Sequence, residues 1–144
     1  MDELVQWLRA QLGEDERIAL AAPSGPWAAD ASGSIAAADG GRVVPSVGGA
    51  LDGRAIRWPE GPVVGHLVAH DPARVLREID AKRQVLGEHL PRKPKGRPNM
   101  ERHCLSCTTA QAWDDTAGES NCLTLRLLAL PYADRSGYRE EWRP

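Results

Sequence analysis

The residues with the most chemistry in this 144-residue chain are one histidine and all three cysteines, spaced H-x14-C-x2-C-x14-C as His89, Cys104, Cys107 and Cys122. Thiolates and imidazoles are the groups that hold Zn²⁺ tetrahedrally in structural sites. A two-residue gap between cysteines lets one tight turn aim both sulfurs at a single ion. The pattern therefore points to a zinc clasp with His89, Cys104, Cys107 and Cys122 as ligands. His103 is the competing fourth ligand, but it adjoins Cys104, and neighbouring residues seldom direct their side chains to one ion comfortably. A redox pair, or two free thiols on an exposed loop, would use the same C-x2-C.

The surrounding sequence says why a clasp would be needed. Residues 90–103 and 108–121 contain Pro91, Pro94, Gly96, Pro98 and Gly118 among many polar residues, and neither stretch can bury much. Two irregular loops of that length within one small domain need a holder other than a core. The clasp would tie a helix ending at His89 to the apolar segment beginning at Cys122. An odd number of cysteines also fits reduced thiols better than a disulfide framework.

The elements that must position these ligands can be read in order. Asp2 can cap a helix over 2–22 whose apolar face carries Leu4, Leu8, Leu12, Ile18, Ala19 and Ala22, with Gly13 as its weak point and Pro23 to Pro26 as its stop. Short strands are expected at 27–30, 34–38 and 42–46, with Asp39-Gly40 as a hairpin turn, and one more at 55–58; Gly48-Gly49 and Gly53 predict an irregular piece between. Val63, Val64, Leu67 and Val68 suit a helix over 63–70. Asp71 as cap and Pro72 at the first position open a helix over 71–89, with a stripe of Val75, Ile79 and Leu86. His89 then falls on its core-facing side.

Residues 122–130, apolar on nearly every side, predict a central helix capped by Ser120 or Asn121 and stopped at Pro131, although the alternation of Leu123, Leu125 and Leu127 also suits a strand. A last short helix over 136–142 would carry Tyr138 and Trp142. The expected fold is a single α+β domain over 1–144: mainly helical, with a small antiparallel β-meander at about 27–58 and a zinc clasp joining the central and C-terminal helices. The five tryptophans, Trp7, Trp27, Trp58, Trp113 and Trp142, each offer an anchor to a shared core.

A resemblance becomes visible here. Pro26-Trp27, HDPARVLREIDAKRQVL (70–86) and CLTLRLLALPYADRSGYREEWRP (122–144) resemble segments of a family of small proteins of unknown function from streptomycetes, other actinobacteria and their phages. The resemblance implies a phage or mobile-element setting, and it implies a His after the central helix and a Cys before the LRLLALPYAD segment, matching His89 and Cys122. Residues 91–103 stand outside it as an insertion.

Function classes can be narrowed. A net charge of −2 makes no general case for nucleic-acid binding. No phosphate loop, G-x-S-x-G or HExxH is present. No apolar run approaches a membrane span and no signal peptide opens the chain, so a cytoplasmic protein without a membrane partner is expected. The leading reading is a non-enzymatic, zinc-stabilised accessory protein that binds a macromolecular partner. One rival is DNA binding through Arg92, Lys93, Lys95 and Arg97, where Lys-Gly-Arg-Pro is similar to the minor-groove core of AT-hook peptides. A further rival is a metal-dependent hydrolase built on His66, His70 and Asp71.

Overall fold

The computed structural model describes residues 2–45, 47–51, 54–93, 95–96, 102, 104–107 and 122–144. Its elements are α1 (Asp2–Ala21), β1 (Ala28–Ala29), β2 (Ile35–Ala36), β3 (Arg42–Val44), β4 (Val47–Leu51), β5 (Arg54–Trp58), α2 (Gly61–Ala69), α3 (Pro72–Glu88) and α4 (Leu123–Ala129). The fold is α+β, as the patterning predicts. The chain divides into two compact units, one of residues 1–14 with 80–144 and the other of residues 15–79.

In the unit formed by 15–79, β1, β2 and β3 make a three-stranded antiparallel sheet in that order, while β4 and β5 make a separate two-stranded one. The β2–β3 turn is the expected Asp39-Gly40. Gly40 takes a positive φ of 82°, its N–H donates to the Ala37 carbonyl at 2.9 Å, and the Asp39 carboxylate accepts from Gly41 N–H at 2.9 Å. The first turn works in the same way, because Asp30 accepts from the N–H groups of Ser32 and Ser34 at 2.8 and 3.1 Å. The irregular piece expected around Gly48-Gly49 is instead strand: Gly48 pairs with Arg57 and Gly49 with Ile56. A ladder's hydrogen bonds come from the backbone, so glycines weaken a ribbon without preventing it.

Helix α2 starts earlier than expected, because Pro62 is accommodated in its first turn rather than closing a turn before it. The α3 start follows the sequence closely. Asp71 is buried, and its carboxylate accepts from Arg74 N–H at 2.7 Å and from Trp27 N–H at 3.2 Å. One side chain thus caps the helix and fastens the Pro26-Trp27 corner to it. Gly25 completes that corner, since a Cβ there would lie 2.8 Å from the Ala73 Cβ. The Arg74 N–H, followed by the Trp27 N–H, holds the Asp71 carboxyl below the usual carboxylate range against the opposing effect of burial. Its contribution to stability is complete above the ordinary carboxylate pKa and is lost as pH falls through the lowered folded value. Asp71→Ala should cost about 0.5–2 kcal/mol in denaturant unfolding at neutral pH, and the deficit should shrink in strong acid.

The other unit has its core on one face of α1 and on α4. Leu4, Val5, Leu8 and Leu12 are buried, along with Leu86, Leu125, Ala129, Tyr132 and Trp142. Further along α1, Ala19 is buried but Ile18, expected on the same face, is exposed. One residue is about 100° of helix rotation, enough to carry Ile18 off the stripe. The expectation that α4 is buried on nearly every side is corrected as well. Leu123, Leu127 and Leu130 are exposed, and only one side of the helix is core.

Pro131 does not stop the chain turning. Residues Leu130–Tyr132 continue as a 3₁₀ turn with the proline inside it, since a proline is tolerated in a first turn. The helix expected over 136–142 is reduced to a 3₁₀ turn at Glu140–Trp142, because Gly137 adopts a left-handed φ of 82° just before it. The tail still folds back. The Trp7 indole donates to the Ser136 carbonyl at 3.1 Å, and its ring lies 5.4 Å from Trp142 and 5.7 Å from Tyr138, centroid to centroid. The tryptophans do not all serve one cluster: the Trp27 indole donates to the Pro23 carbonyl instead, while Trp113 and the Trp58 side chain lie outside the described residues.

Candidate metal centre

Three pieces of chain deliver the four candidate ligands. Helix α3 ends by giving His89 N–H to the Val85 and Leu86 carbonyls, each at 3.2 Å, which sets the imidazole just past the last turn. Residues 104–107 then form a turn laid against that helix end. The Ser106 hydroxyl donates to the Glu88 carbonyl at 2.8 Å and Arg92 donates to the Gly87 carbonyl at 3.1 Å. Both satisfy carbonyls that a helix C-terminus leaves without a partner. Cys122 occupies the N-cap position of α4, and its carbonyl accepts from Arg126 N–H at 3.2 Å. Ser120 and Asn121, the expected caps, lie outside the described residues.

These placements bring His89 Nδ1 to 3.3 Å from Cys104 Sγ, 3.2 Å from Cys107 Sγ and 3.5 Å from Cys122 Sγ. Cys107 Sγ and Cys122 Sγ are 3.5 Å apart, and all four ligand atoms lie within 4.8 Å of one another. A tetrahedron with metal–sulfur bonds of about 2.3 Å and a metal–nitrogen bond of about 2.0 Å has S···S edges of about 3.8 Å and N···S edges of about 3.5 Å. The three His89 edges and the Cys107–Cys122 edge lie within a few tenths of an ångström of these values, while the widest separation in the set, 4.8 Å, would have to close by about 1 Å around the ion. Coordination through Nδ1 places the ring proton on Nε2. The cluster could hold a metal ion, and among the described residues it is the one grouping of three or more such side chains that could.

The three sulfurs differ in their surroundings. Cys104 and Cys122 are buried, and Cys107 is exposed. Burial pushes the Cys122 thiol up to about 12. Burial also acts upward on Cys107, but hydrogen bonds with Thr124, Cys122 and Cys104 outweigh it and leave that thiol below the ordinary value. The sequence pattern singles out the four residues that the structure brings together, but not Ser106, Thr124 or Arg92, which bond to the α3 end or to Cys107 beside them. The serine between the two cysteines was the available signal.

The other candidates fare differently. His66 and His70 lie with ring centroids 4.4 Å apart and their planes tilted by 40°. Asp71, their supposed partner, spends both carboxylate oxygens on Arg74 and Trp27 N–H groups. In the basic stretch, Arg92, Lys93 and Lys95 are exposed. Arg92 is bound back to α3, and Arg102 donates to the Pro91 carbonyl at 3.0 Å. His103 and Arg97 lie outside the described residues. No described helix is long and apolar enough to cross a membrane.

Comparison with known families gives a model described as a family of unknown function, DUF6221, which matches residues 1–144. Neither the curated proteins nor the solved structures supply a match.

Proposed function

We propose that this chain, which belongs to the family of unknown function DUF6221, is a small accessory protein stabilised by a structural zinc ion and acting by binding a macromolecular partner. The observation that carries the reading is the convergence of three sulfurs and one imidazole nitrogen within 4.8 Å. Three thiolates and an imidazole fill a tetrahedral shell. A filled shell leaves no position for substrate or water, which favours a structural over a catalytic ion. The ion's work would be mechanical: it would join the end of α3, the 104–107 turn and the start of α4, where short irregular segments bury little by themselves. The resemblance of the 122–144 segment to small actinobacterial and phage proteins supports a partner from that setting. Residues Arg92, Lys93 and Lys95 give DNA less support as the partner, since Arg92 already caps α3.

Zinc titration tests the metal half of the reading, because thiols must lose their protons to ligate. The buried Cys122, with its thiol raised to about 12, carries its proton at neutral pH before the metal arrives. Calorimetric titration in buffers of different ionisation enthalpy should therefore show protons released on binding, and affinity should fall as the pH is lowered. Binding with no proton release, or with affinity indifferent to pH, would mean the thiols are not the ligands.

A further inference from the structure

We propose that the same centre is a peroxide-responsive switch, in which a hydroperoxide oxidises Cys107 and Cys107 then joins Cys122 in a disulfide that expels the metal. This rests on the zinc reading above. Two observations carry it. Of the three sulfurs, Cys104 and Cys122 are buried and Cys107 is exposed, so an oxidant in solution meets Cys107 first. Behind it Cys122 Sγ stands only 3.5 Å away, so forming an S–S bond of about 2.05 Å needs an approach of about 1.5 Å.

The chemistry balances with a hydroperoxide as the named oxidant. The Cys107 thiolate attacks one peroxide oxygen; an S–O bond forms, the O–O bond breaks, and the departing oxygen takes a proton and leaves as water or an alcohol. The resulting sulfenic acid is attacked by the Cys122 thiolate. An S–S bond forms, the S–O bond breaks, and the hydroxide leaves as water with a second proton. The two sulfurs lose one electron pair and the peroxide gains it. Zn²⁺ is left with His89 and Cys104 and dissociates. The covalent link then joins the 104–107 turn to α4 and leaves out His89, so the end of α3 is released. Thiol reductants would reverse the oxidation and let zinc rebind.

The test begins with the zinc-loaded full chain, its metal content measured before any oxidant is added. Hydrogen peroxide is then introduced with a chromogenic chelator present, and the products are mapped by peptide mass. The expected result is release of the bound zinc in step with a Cys107–Cys122 disulfide, and rebinding after reduction. A Cys107→His variant, compared with the parent at whatever zinc occupancy it reaches, should release its bound fraction at least about tenfold more slowly, because the exposed sulfur is gone. Zinc retained through peroxide overturns the switch while leaving the structural site standing. So does release accompanied by a Cys104–Cys107 disulfide or by sulfinic acid at Cys107, and so does unchanged release from the variant. A wild-type protein that never binds zinc sinks both readings at the first step.

Discussion

His89→Ala is expected to lower zinc affinity and folding stability together, each by a large amount. Its Nδ1 is the atom that approaches all three sulfurs, at 3.2 to 3.5 Å, and it comes from the end of α3, away from the sulfurs in sequence. An outer-shell partner alone is worth roughly 10–100-fold in metal affinity, and a direct ligand should exceed that. Where the metal binds only the folded chain, a 100-fold loss removes about 2.7 kcal/mol of stability under saturating zinc. Chelator competition and denaturant unfolding, each run with and without zinc, measure the two effects. The stability difference between variant and parent should largely vanish once both are stripped of metal. His103→Ala should change little, and a loss of affinity confined to that variant would make the clasp local to its loop and break the proposed link to α3.

Leu125→Ala should cost about 2–5 kcal/mol, whereas Leu127→Ala should stay within about 0.5 kcal/mol of the parent. Leu125 is 0% exposed and Leu127 is 50% exposed, though the two are alike in chemistry and two positions apart on one helix. Truncating Leu125 leaves a cavity beside a packed core. Truncating Leu127 removes surface already half in water. Urea unfolding of the two variants side by side reads the difference, and equal costs would put the described face of α4 in the wrong place.

The same helix shows what a sequence can and cannot disclose. Six apolar residues among the eight after Cys122 suggest burial on nearly every side, because composition alone carries no facing direction. A seven-residue helix held at its start by Cys122 and followed by a 3₁₀ turn needs only one buried side, and Leu125 with Ala129 supplies it. The helix at 72–88 was legible, since Asp71, Pro72 and the Val75, Ile79, Leu86 stripe agree with one another on start, length and face. The β4–β5 ribbon was obscured by glycines whose backbones pair regardless of their missing side chains. The clustering of His89, Cys104, Cys107 and Cys122 was readable because metal-binding chemistry restricts both residue type and spacing. The groups around them were not, because Ser106 and Arg92 act on α3 carbonyls through folded proximity that no local pattern encodes.

The central claim is most directly tested by the metal content of protein purified without a metal-binding tag, combined with X-ray absorption at the metal edge. The account predicts about one zinc ion per chain, in a first shell of three sulfurs and one nitrogen supplied by Cys104, Cys107, Cys122 and His89. Protein that is folded, carries reduced thiols and holds no metal even after zinc is supplied would contradict it.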